Sequence, residues 1–175
     1  SEPPLCYFIS LATPLTLSEV RSMLPQGLSA HVADQSEQQQ LLPLLPEART
    51  VVRLLVGACS CDLVRHRHSD SREDERHHRE RYRRLGGARP AVIAALERHR
   101  RGAGIRPPHG GWPRALADLV AEHARNAGPS LYLLRFLAEP PRAAPPAAAR
   151  HLSLALVLAT PDRWLEEGVP ILVSR

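Results

Sequence analysis

Thr50-Val51-Val52-Arg53-Leu54-Leu55-Val56 runs directly into Gly57-Ala58-Cys59-Ser60-Cys61-Asp62, and the reading of these thirteen residues decides the fold. The first seven are β-branched or apolar apart from Arg53 and lie within a strand predicted from Ala48 to Ala58. The last six place two thiols one residue apart at the strand's far end. Four histidines follow: His66, His68, His77 and His78.

Upstream, Leu5-Cys6-Tyr7-Phe8-Ile9-Ser10-Leu11 predicts an early buried strand ended by Thr13-Pro14. Thr16-Leu17-Ser18-Glu19 has the spacing of a capping box and opens a short helix that Pro25 and Gly27 should stop. Leu28 to Val32 reads as a second strand. The Gln-rich segment from Asp34 to Pro46, broken by Pro43 and Pro46, reads as an irregular connection. Downstream, Asp70 and Ser71 can cap a polar helix from about Arg72 to Leu85, with Gly86-Gly87 as its stop. Pro90 opens another helix with Val92, Ala95, Leu96 and His99 on one face. Pro113 opens a third, with Leu116, Leu119, Val120, His123 and Ala127 toward the core. Ser130 to Leu137 is strand-like, Glu139 to Ala149 is a Pro/Ala connection, and further strands are expected over His151 to Ala159 and Val169 to Val173.

The resulting order, with the first helical pair treated as an insertion, matches the split βαβ pattern of ferredoxin-like domains. The expected fold is therefore α+β: a ferredoxin-like sandwich with a charged helical hairpin inserted over 65–104 and a C-terminal strand extension. Residues 1–175 form one domain in this reading, consistent with 43% hydrophobic content over 175 residues. Such an architecture implies no particular function.

Composition narrows the chemistry. All 23 basic residues are arginine, which excludes a Schiff-base lysine and a P-loop lysine. No nucleotide-binding glycine motif or nucleophile elbow is present, so no complete catalytic signature supports an enzyme. Three cysteines are too few for a secreted disulfide framework, and the expected setting is a soluble protein with reduced thiols in the cytoplasm. The longest apolar run, Leu152 to Ala159, is far too short to span a membrane.

Thiolate and imidazole favour borderline and soft metals, zinc above all. If the strand continues through Cys61, Cys59 and Cys61 project to one face, and a loop through His66 and His68 completes four ligands. The candidate set is thus Cys59, Cys61, His66 and His68. Pairs four apart on a helix, Asp74 with His78 or Glu73 with His77, offer an alternative. Cys6 is unassigned, although an adjacent first strand would bring it near. Against these stand simple packing of two small thiols, and thiol chemistry with Arg65 and His66 as activating neighbours. A nucleophile pairing of Cys59 or Cys61 with His109 or His151 has little beyond composition behind it.

A second function class is an arginine-rich module for nucleic acid or an acidic partner protein. The net charge is +5, and eight arginines lie between Arg65 and Arg84. Asp70, Glu73, Asp74, Glu75 and Glu80 oppose them, and pairs such as Glu80 with Arg84 suit a salt-bridged solvent helix. Aromatic residues make up 4%, which disfavours stacking on bases. A protein partner docking on the charged insertion is the companion expectation.

Overall fold

The computed structural model describes residues 6–64, 76, 79–80, 83–84, 89–102, 105–137 and 148–175. Its centre is a six-stranded mixed sheet in the order β2-β3-β1-β4-β6-β5. The strands are β1 (Cys6–Thr13), β2 (Leu28–Val32), β3 (Thr50–Val56), β4 (Ser130–Leu137), β5 (Arg150–Ser153) and β6 (Ile171–Ser174). Every neighbouring pair is antiparallel except β5 with β6. The helices are α1 (Leu17–Met23), α2 (Gln35–Leu41), α3 (Cys61–Val64), α4 (Arg89–Gly102), α5 (Gly111–Ala127) and α6 (Leu154–Ala159).

β1 is buried along its whole length, because it is central and both of its faces are covered. Alternation divides its side chains between two cores. Ile9 and Leu11 face the larger one with Val52 and Leu54 of β3, Tyr132 and Leu134 of β4, Val20 of α1, and Leu116 and Val120 of α5. Ala12, Val51, Leu131 and Leu133 face the other way, toward Leu41 of α2 and Leu45 beyond it. Helices packed on both faces, with α1, α3, α5 and α6 contributing to the larger core and α2 to the other, bury both sides of the sheet.

The expected capping box at α1 is present: the Thr16 hydroxyl accepts from Glu19 N–H at 3.2 Å, and Glu19 returns the bond to Thr16 N–H at 2.8 Å. Trp112, at the start of α5, is anchored in the core against Gly27, whose φ of +93° and close approach to the indole admit no side chain. His123 is buried on α5, as its helical spacing predicts.

Three expectations need correction. The segment after Asp34 is not irregular: Asp34 caps α2 by accepting from Glu37 N–H at 2.8 Å, its glutamines are good helix formers, and both prolines lie beyond its last turn. The run after His151 is a strand only to Ser153, whose hydroxyl accepts from Leu156 N–H at 3.3 Å and starts α6 instead. A short apolar Leu/Ala run cannot be told apart as strand or helix by periodicity alone. Finally, β3 does not continue through Cys61; it stops at Val56, and Gly57 turns the chain with φ +69°.

The proposed insertion lies mostly outside the described residues, as does the connection over 138–147. Within the described part, Val92 and Leu96 of α4 are buried, and Arg84 pairs with Glu80 at 2.6 Å as the spacing predicts. Among the described residues no helix is long and apolar enough to cross a membrane.

Candidate metal centre

β1 and β3 pair from Thr13↔Thr50 only as far as Ile9↔Leu54. Beyond that point the turn at Gly57 sends the chain back, Cys59 bridges to Val56, and residues 59–61 occupy the position beside β1 that β3 has vacated. Ser60 holds this arrangement. Its N–H donates to Tyr7 C=O at 2.8 Å, and its hydroxyl accepts from Ile9 N–H at 2.9 Å while donating to Leu54 C=O at 2.5 Å. The backbone groups that lose their strand partners are thereby satisfied.

The reversal carries Cys59 and Cys61 to Cys6, at the start of β1. The three sulfurs all lie within 4.8 Å of one another, and all three residues are buried. Tyr7 N–H donates to the Cys61 sulfur at 3.4 Å, a bond that favours negative charge on that sulfur. No disulfide links them. Hydrogen bonding to the Cys6 thiol, with burial adding to it, pushes Cys59 up to about 11, against the opposing bond from Cys61. Hydrogen bonds with Cys59 and then Cys6, together with burial, push Cys61 up as well. Three sulfurs crowded in an apolar site thus resist carrying charge unless a cation joins them.

The geometry suits such a cation. With Zn–S bonds of about 2.3 Å, sulfurs around a tetrahedral ion stand roughly 3.8 Å apart, so a contraction of about 1 Å or less closes this cluster on an ion. Three buried thiols at this spacing are able to hold a metal.

The cluster differs from the sequence-derived ligand set. Cys59 and Cys61 do converge, but by a turn and the first residue of α3 rather than by strand alternation. Cys6 joins them as a third donor. The only sequence signal for it was the adjacency of an early strand to β3, because a contact across more than fifty residues leaves no spacing motif. His66, His68, Glu73, Asp74, His77 and His78 lie outside the described residues. His109 lines a surface cleft with Pro25 and Glu122, and His151 sits on β5 with β4 and β6 between it and β1. Neither shares the neighbourhood of the thiols.

Comparison with known proteins finds no matching family model, no similar curated protein and no similar solved structure.

Proposed function

We propose that this protein binds one zinc-type metal ion through Cys6, Cys59 and Cys61, with His66 or His68 supplying a fourth ligand. The observation that carries this reading is the convergence of three buried thiols, not joined by any disulfide, to within 4.8 Å. His66 and His68 follow Cys61 by five and seven residues, a reach that lets an imidazole return to the cluster. The ion's role in this reading is structural: it ties the reversed segment after β3 to the start of β1, as closed four-ligand zinc sites do. Reduced thiols favour the cytoplasm as the protein's compartment.

The scaffold in this reading is a ferredoxin-like split βαβ sandwich. The order β2-β3-β1-β4 with antiparallel neighbours supports it, as does the packing of α1 and α5 against one face. The β5–β6 unit is a C-terminal extension, 65–104 is a charged helical insertion, and 1–175 is one domain.

Elemental analysis of untagged protein purified in reducing buffer tests the metal reading. Near-stoichiometric zinc is expected in the native chain and its loss in Cys59→Ser and Cys61→Ser, with a chelator lowering the native chain's Tm. Metal content that survives both substitutions would overturn it.

One observation favours a second reading, an arginine-mediated module for nucleic acid or an acidic partner protein. Arg79, Arg83 and Arg89 line one cavity of about 360 Å³ with Val92 and Ile93. This reading predicts binding that weakens steeply with salt and with Arg79→Gln/Arg83→Gln, and salt-insensitive or absent binding contradicts it.

A further inference from the structure

We propose that Arg135 anchors a binding site for a small oxyanion, a phosphate or a carboxylate, on the face of the sheet opposite the larger core. The site is independent of the metal reading. Strand register assembles it: Phe8 of β1 stands opposite Arg135 of β4, and Ser10 stands opposite Arg53 of β3, so all four share one face. Glu37 of α2 and its capping residue Asp34 close over that face from above.

The carboxylates are already engaged, oxygen by oxygen. Glu37 Oε1 accepts from Arg53 Nε at 2.7 Å and also from Arg53 Nη2, while Glu37 Oε2 accepts from the Ser10 hydroxyl at 2.6 Å. Asp34 Oδ1 accepts from Glu37 N–H at 2.8 Å, and Asp34 Oδ2 meets Arg53 Nη2 at 3.4 Å. Arg53 also lies over the Phe8 ring, 4.8 Å from its centroid, which fixes the guanidinium in place. Arg53 therefore takes both carboxylates, and neither accepts a hydrogen bond from Nη1 of the second guanidinium, Arg135.

That second guanidinium is buried at one end without an acceptor: Arg135 Nη1 is removed from solvent and makes no hydrogen bond. Burial lowers its pKa, with the Arg53 charge adding to that effect and Glu37 and Asp34 acting against it at longer range. An unpaired buried guanidinium donor carries a desolvation cost that an incoming acceptor relieves. The residue as a whole is only half-buried, so part of its side chain faces solvent beside the buried Nη1. The planar fork of arginine matches the paired oxygens of carboxylate and phosphate. Cys6 and Phe8 share this face of β1, which places the anion site on the same side of the strand as one of the three thiols.

The test is calorimetric titration of inorganic phosphate, and separately of acetate, into the full chain at about 0.15 M salt, where weak surface attraction is screened. One-to-one saturable binding of either anion is expected, and which one binds tells phosphate from carboxylate. Arg135→Gln should weaken it about tenfold or more, whereas Arg125→Gln, on the exposed side of α5, should not change it. In the native chain the guanidinium N–H resonance of Arg135 should shift along the same saturation curve, a readout that does not require the variant to fold. Absence of saturable binding, equal binding by Arg135→Gln, or an unmoved Arg135 resonance would each overturn the proposal.

Discussion

Ser60 is the residue on which the thiol cluster depends most, although it supplies no sulfur. It is buried, and its hydroxyl both accepts from Ile9 N–H and donates to Leu54 C=O at the point where β3 leaves β1. Replacing it with alanine strands one backbone donor and one acceptor in the core, at a cost of about 1–3 kcal/mol for each unsatisfied group. Ser60→Ala is accordingly expected to lower unfolding free energy by roughly that amount in urea titrations, and to weaken metal retention by loosening Cys59 and Cys61. Stability equal to the native chain's would mean that the wedge contributes nothing. His123 is the comparable residue at the other end of β1. Its Nδ1 donates to Gly128 C=O at 3.2 Å, so its Nε2 is left to accept from the Thr13 hydroxyl at 2.6 Å. The Thr13 oxygen in turn accepts from Leu15 N–H at 3.0 Å. The ring is thus held neutral, and it ties the C-terminal half of α5 to the end of β1.

Among the elements, legibility in the sequence followed the source of each signal. β2 and β4 were readable to the residue because local apolar runs bounded by Gly and Pro define them. The capping box before α1 was readable because a cap is a local hydrogen-bond pattern. α2 was hidden by Pro43 and Pro46, which read as breakers within the segment although they sit after the helix, Pro43 in a short 3₁₀ turn. The boundary between β5 and α6 was hidden because Leu154 to Ala159 is apolar throughout, and only the serine cap before it separates helix from strand. The candidate site was legible by halves. Cys59 and Cys61 stand out in the sequence as a pair, but strand alternation carries no sign of the turn at Gly57. Cys6 enters through the pairing of β1 with the chain that follows β3, which is a tertiary fact with no local trace.

At the scale of the whole molecule, two consequences follow for stability. Burial holds the His123 pKa below its usual value, whereas in the unfolded chain the ring titrates near 6.5. The unfolded state therefore binds the proton first: the contribution of the neutral ring is complete above about pH 6.5 and is lost as pH falls toward the folded pKa, at up to about 1.4 kcal/mol per pH unit. Denaturant titrations between pH 7.5 and 5.5, values chosen to bracket about 6.5, should show a steeper loss for the native chain than for His123→Gln. Parallel slopes would remove His123 from the account. The second consequence is the metal's: an ion held by Cys6, Cys59 and Cys61 joins segments more than fifty residues apart and stabilises only the folded chain. Cys6 is the ligand that distinguishes this account from a local Cys-x-Cys site. The decisive measurement is therefore the metal content of Cys6→Ser beside that of the native chain, both purified in reducing buffer. The account predicts about one zinc per native chain and a large loss in Cys6→Ser; zinc retained in full by Cys6→Ser, or absent from the native chain, would contradict it.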